Sequence, residues 1–186
     1  MFGGFAYNHW WGMIPTSLSR SKTLAAVLLF AAVLLVFSNC LSFSFVWDDE
    51  HFILRNAYLT SWKYLPNLLM ENVDAGAGVR SNPYRPLEML THFLDVRLWG
   101  YQAWAHHLTT VLIHAATTVV IFRWLCRFAP WSGAFVAALA YGLHPLQSVA
   151  VPYIPGRVDD LAILWLCLGL LAFERSPAVS LLCAVL

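Results

Sequence analysis

Four apolar runs divide the chain, and more polar segments separate them. The runs cover residues 23–41, 103–122, 131–151 and 158–173. A helix rises about 1.5 Å per residue, so about 20 apolar residues cross a hydrocarbon core of about 30 Å. The pattern predicts an all-α integral membrane protein with about four transmembrane helices. A cleaved signal peptide is the alternative for the first run, but Ser38-Asn39-Cys40 is a poor cleavage site.

The longest polar segment, residues 46–102, holds most of the charge and is too polar to span a membrane. Residues 56–70 mix aromatic and leucine side chains with polar ones, which predicts a helix on the membrane interface. Residues 72–82 contain glycine and asparagine and predict a flexible loop. Residues 86–99 predict a second amphipathic helix, with Pro86 in its first turn. Its apolar stripe consists of Leu87, Leu90, Leu94 and Leu98.

The basic residues predict the orientation. Arginine and lysine precede the first run, lie between the second and third runs, and follow the fourth. With four spans they share one side, which the positive-inside rule makes cytoplasmic. Residues 1–22 are then cytoplasmic, and loop 46–102 faces the periplasm of a bacterial inner membrane or the lumen of the endoplasmic reticulum. The residues concerned are Arg20, Lys22, Arg123, Arg127 and Arg175.

Composition agrees with a lipid environment. Of 186 residues, 60% are hydrophobic and 11% are charged, and the mean hydropathy is +0.64. A soluble domain carries about 25% charged residues. We therefore expect membrane lipids as partners. A net charge of +1 with scattered basic residues gives no indication of nucleic-acid binding.

An acidic run, Asp48-Asp49-Glu50, directly follows the first apolar run. Adjacent carboxylates repel each other, so we expect the pKa of at least one to be raised. Such a carboxylate could act as general base toward a hydroxyl group; the alternative is a solvated acidic flank. Asp49 is the preferred base, because Asp48 stays close to Trp47 and the helix end, where a carboxylate could cap backbone donors.

Two further motifs carry candidate chemistry. Arg85 opens the second amphipathic helix, where it could bind a phosphate or pair with Glu88 or with lipid headgroups. His144 and the stretch from Arg157 to Asp160 flank the short turn 152–156, so we expect His144, Arg157 and Asp159 to lie close together. The alternative is an Arg157–Asp159 pair that caps the last helix.

The adjacent histidines of the second run, His106 and His107, predict no metal site. Neighbouring side chains on a helix point about 100° apart, so the two rings make a poor ligand pair.

These pieces occur in a fixed order along residues 46–173. The acidic run is followed by Tyr84-Arg85-Pro86-Leu87, His106-His107-Leu108, Leu143-His144-Pro145-Leu146-Gln147-Ser148-Val149-Ala150 and Gly156-Arg157-Val158-Asp159-Asp160-Leu161. The set resembles the membrane half of the O-mannosyltransferases that carry transmembrane helices and tetratricopeptide repeats, and of their bacterial relatives.

The resemblance implies a GT-C glycosyltransferase. It implies an inverting transfer of a sugar, such as mannose, from a polyprenyl phosphate to a protein or glycan hydroxyl, with no cofactor and no required metal. Asp49 or Asp48 would be the base. The donor phosphate would be held by Arg85, Arg157 and His144, and the site would be supported by Glu50, Asp159 and His106.

Two departures leave an alternative open. The family usually has His or Lys just before Tyr84, where this chain has Ser81-Asn82-Pro83. GT-C enzymes also have many more spans, so we expect the membrane domain of residues 23–186 to be incomplete. The alternative function is a non-catalytic membrane subunit that packs within a larger complex.

The predicted orientation can be tested by cysteine labelling. In a background without the native cysteines, a membrane-impermeant thiol reagent should label Ser81→Cys in intact cells and leave Ser132→Cys unlabelled, because the two positions lie on opposite sides. Permeabilised cells should show both labels. Labelling of position 132 in intact cells would contradict the orientation.

Overall fold

A computed structural model describes residues 20–173, and these residues form α-helices joined by short turns without any strand. The predicted all-α class is therefore confirmed for the part of the chain described. The helices are α1 (Arg20–Val36), α2 (Leu65–Met70), α3 (Pro86–Trp99), α4 (Ala103–Leu125), α5 (Trp131–Gly142), α6 (Gln147–Ala150) and α7 (Arg157–Phe173).

Helix α4 is the centre of the bundle, and α1, α5 and α7 pack against it. Its 23 residues rise about 35 Å. Within residues 20–173 it is the one helix long and apolar enough to cross a membrane.

The other three predicted spans are shorter in the structure, so four spans are not confirmed. Helix α1 has 17 residues, and the first apolar run continues as a 3-10 turn at Ser38–Ser42. Helix α5 has 12 residues and ends before His144-Pro145. Helix α7 has 17 residues. The predicted boundary at Glu174-Arg175, the run 178–186 and most of the predicted cytoplasmic segment 1–22 lie outside the described residues.

The predicted helix over residues 56–70 is wrong, because this segment forms three short pieces at Ala57–Leu59, Trp62–Tyr64 and Leu65–Met70. The side chains of Asn56 and Ser61 accept hydrogen bonds from backbone N–H groups two residues later. Such local bonds start new turns and compete with a continuous helix. The second predicted helix is confirmed as α3, which ends before Gly100 at a φ of +66°.

Loop 46–102 folds onto the buried face of α3. Its apolar core includes Phe52, Leu59 and Phe93 together with Ile154 from the turn 152–156, so the loop and the turn pack together. The leucine stripe points away, and Leu98 is 71% exposed. The buried face of α3 carries ionisable side chains among apolar ones. These ionisable residues are Glu88, His92 and Asp95.

Close helix packing at Gly142 can be tested by adding one methyl group. A Cβ at Gly142 would lie 2.8 Å from the Thr118 side chain of α4 and 3.2 Å from Val33 of α1. We expect Gly142→Ala to lower the thermal midpoint of the purified protein, since overpacking costs about 1–3 kcal/mol. Gly133→Ala, in the same helix with open space around it, should be neutral or stabilising. Equal midpoints for the two variants would contradict this packing.

Candidate active site

A cleft of about 800 Å³ lies where loop 46–102 meets the segment 146–159, which contains the turn 152–156. Pockets for small molecules commonly have volumes of about 300–1,000 Å³. Apolar side chains from both segments line it, together with several polar ones. The polar residues at the cleft are Asp48, His51, Asp74, Arg85, Tyr153 and Asp159.

Asp48 reaches this cleft from a turn with unusual backbone geometry. Trp47, which precedes it, has a φ of +50° in the left-handed region, a conformation that costs a side-chain-bearing residue about 1–3 kcal/mol. The phenol O–H of Tyr153 donates a short hydrogen bond to Oδ2 of Asp48. The turn 152–156 therefore holds the exposed carboxylate of Asp48 in place.

Asp49 points to the interior. It is completely buried, Oδ2 accepts the N–H of Val46 at 2.8 Å, and Oδ1 has no hydrogen-bond partner. Burial is the main reason that the pKa of Asp49 rises to about 6. The reason for preferring Asp49 as base is therefore wrong: Asp49 is the one that caps a backbone donor, and Asp48 is the one that faces the cleft.

Arg85 lies at the rim of the cleft, immediately before the first turn of α3. Its Nη1 atom is 3.4 Å from Oε2 of Glu88, so the alternative pairing predicted from sequence is observed, in a long contact. Glu88 is fully buried, and this burial is the main cause that raises its pKa to about 7. Since Arg85 is about one-third exposed, part of its guanidinium faces the cleft.

Arg157 lies beneath the cleft and is completely buried. Its guanidinium donates to Asp95 and Thr91 on α3, both at 2.8 Å, and to α4 through Oγ1 of Thr110 and the carbonyl of His106. The predicted Arg157–Asp159 pair is therefore absent, because Asp95 takes the guanidinium and Asp159 lines the cleft instead.

The remaining predicted site residues lie around the cleft at varying distances. His144 is exposed and accepts the N–H of Leu146 through Nδ1, but it is not among the residues that line the cleft. Glu50 forms an exposed pair with Arg55 at 2.6 Å. His106 is buried beside Arg157. The structure thus brings Asp48, Arg85 and Asp159 together and places His144, Glu50 and His106 elsewhere.

Sequence reasoning missed the residues that hold these groups. The contact of Tyr153 could not be predicted from sequence, because its hydrogen-bond partner Asp48 is 105 residues away along the chain. Thr91 and Asp95 did give a signal, since they are four residues apart on a predicted helix and therefore share a face.

Comparison with known proteins now bears on these groups. No family model and no solved structure matches the chain. Human protein O-mannosyl-transferase TMTC1 is 33% identical over 159 residues, which cover 82% of this chain and 18% of that protein. The predicted resemblance is confirmed. Mouse protein O-mannosyl-transferase TMTC2 is 33% identical over 149 residues, or 76% of this chain, and human TMTC3 is 28% identical over 141 residues, or 74%. The chain spans less than one fifth of the length of these relatives, at 18%, 18% and 15%.

The buried Asp49 predicts a pH-dependent stability. Its pKa in the folded protein, about 6, lies above the ordinary aspartate value of 3.8, so the folded state binds the proton more tightly than the unfolded state. The contribution of Asp49 to stability should therefore be full below about pH 4 and fall as pH rises toward 6, by up to about 3 kcal/mol. Thermal midpoints across this range should show a flatter pH dependence for Asp49→Asn.

Glu50→Gln, at the neighbouring exposed position, serves as the control and should keep the wild-type pH dependence. If Asp49→Asn follows the wild-type curve at every pH, Asp49 is not buried as described.

Proposed function

We propose that the chain is part of an integral membrane mannosyltransferase that moves mannose from a polyprenyl-phosphate donor to a hydroxyl group on a protein or glycan. The observation that carries the proposal is the cleft that Asp48 and Arg85 both line. The similarity to protein O-mannosyl-transferases supports the reaction class.

A membrane location is supported by the distribution of side chains. The buried faces of α3, α4 and α7 carry carboxylates, imidazoles, threonines and one arginine among apolar side chains, and many large apolar side chains are exposed. Ionisable groups inside membrane proteins turn inward in this way, because lipid cannot solvate them. We place α1, α4, α5 and α7 in the bilayer, with the cleft at its periplasmic or lumenal boundary.

Asp48 is the proposed general base. It is exposed in the cleft, and a hydrogen bond from the O–H of Tyr153 fixes its position. The carboxylate takes the proton of the acceptor hydroxyl while the hydroxyl oxygen bonds to C1 of the sugar. The bond from C1 to the phosphate oxygen breaks on the opposite face, which inverts the configuration at C1 and releases polyprenyl phosphate.

Arg85 is the proposed contact to the donor phosphate. A guanidinium at the rim can bind two phosphate oxygens, and such charge-assisted bonds are strong. Asp159 lies in the same cleft and is a candidate for orienting the sugar hydroxyls. Contacts of His144 and Arg157 to the donor phosphate stay predictions. For Arg157 we favour a positioning role, because its guanidinium forms hydrogen bonds to α3, and α3 begins next to Arg85.

Two substitutions separate the proposed roles. Asp48→Asn should lower kcat by about 10²–10⁴-fold and leave donor binding nearly intact, since it removes only proton acceptance. Arg85→Ala should instead weaken donor binding. Sugar transfer from a polyprenyl-phosphate donor to a Ser/Thr peptide should be measured in the longest protein that the reading frame encodes. Arg80→Ala, which removes an exposed arginine of the same loop, is the matched control.

The same assay distinguishes the alternatives. Full turnover in Asp48→Asn with loss in Asp49→Asn would restore the base assignment made from sequence. Wild-type turnover in both Asn variants would remove both acids from the mechanism. A wild-type protein that binds donor lipid but never transfers sugar would favour the non-catalytic membrane subunit.

A further inference from the structure

A second cluster of polar side chains lies beneath the cleft, between α3 and α4. It consists of His92 and Asp95 from α3 and His106 from α4, and all three are buried. One potential ligand atom from each residue lies within 4.8 Å of the other two. None of the three lines the cleft.

The two imidazoles offer lone pairs that the protein does not use. Nε2 of His106 lies 3.2 Å from the carbonyl of Gly100, which can only accept, so Nε2 carries the hydrogen and Nδ1 has the free lone pair. Nδ1 of His106 and both ring nitrogens of His92 are buried without hydrogen-bond partners. Buried polar atoms without partners are rare, and each calls for an explanation.

Hydrogen bonds fix the orientation of the Asp95 carboxylate in the cluster. Thr109 donates to Oδ1 of Asp95 at 2.7 Å, and Arg157 donates to Oδ2 at 2.8 Å. Hydrogen bonds from neighbouring groups fix ligating carboxylates in this way at metal sites. Glu88 adds a further oxygen, because its unpartnered Oε1 lies 3.6 Å from Nε2 of His92.

Charge at the cluster also favours a cation. Asp49, Glu88 and Asp95 all act electrostatically on Arg157, so its single positive charge faces three carboxylates. Arg85 compensates Glu88 in part, from 3.4 Å at the rim. Negative charge still exceeds positive charge when every group is ionised, and a divalent cation would reverse that excess.

We propose that His92, Asp95 and His106, whose ligand atoms lie within 4.8 Å of one another, bind a structural Zn²⁺ ion, and that Glu88, which lies outside this group, turns its Oε1 atom inward as the fourth ligand. Imidazole and carboxylate donors suit zinc, whereas Mg²⁺ and Ca²⁺ prefer oxygen ligands alone. Bound zinc brings its nitrogen and oxygen ligands to about 2.0–2.2 Å, which requires a small inward movement of these side chains. None of its ligands lines the cleft, so the ion takes no part in sugar transfer. The ion holds α3 against α4. It thereby also holds the N-terminal end of α3, which lies beside Arg85.

Zinc content and stability test the site. The full chain, purified in detergent and dialysed against a zinc buffer, should retain one equivalent of Zn²⁺, and its thermal midpoint should rise with the zinc concentration. His92→Ala and His106→Ala should each lose the bound zinc and this rise. His107→Ala removes a buried histidine of the same helix turn that is outside the cluster, and it should retain the zinc.

A measurement on the unmodified chain covers variants that fail to fold. Added Co²⁺ should give the visible absorption bands of a tetrahedral nitrogen–oxygen site, and Zn²⁺ should displace it. No stoichiometric zinc and no cobalt bands in the wild type would overturn the proposal. Undiminished zinc in the folded His92→Ala and His106→Ala variants would overturn it as well.

Discussion

The buried guanidinium of Arg157 is the interaction on which the rest of the structure depends. It joins the first turn of α7 to α3 and α4 through hydrogen bonds to four different residues. Removing one partner of a buried ion pair costs about 3–5 kcal/mol, because the other charge stays buried without compensation. Both sides of the cleft rely on this contact, since Arg85 precedes α3 and Asp159 lies in the first turn of α7.

A second buried polar network joins α4, α5 and α7. His114 of α4 contacts Asp160 of α7 at 2.8 Å and the carbonyl of Gly142 in α5 at 3.0 Å. Tyr141 of α5 donates to the same Asp160 carboxylate. These directional polar contacts join α4, α5 and α7, in addition to the apolar clusters between α1, α4 and α5.

Local features of the chain were predictable from sequence, and contacts between distant segments were not. Pro86 and Gly100 set the two ends of α3 through their own backbone preferences. Asp48 faces the cleft and Asp49 points inward after a turn in which Trp47 has a left-handed backbone, and no pattern of residue types revealed that conformation. The order of motifs did identify Asp48, Arg85 and Asp159, which meet in the cleft. It could not show that Arg157 turns to Asp95, because that pair spans 62 residues of sequence.

This separation has a consequence for how the protein is made. The outer loop and α3 leave the ribosome before Arg157 exists, and at about 5–20 residues per second the delay between Asp95 and Arg157 is about 3–12 s. During that interval the buried carboxylates of α3 lack the guanidinium that compensates them. Water can solvate these carboxylates until α7 is made, so the packing of Arg157 against Asp95 is the late step that completes the floor of the cleft.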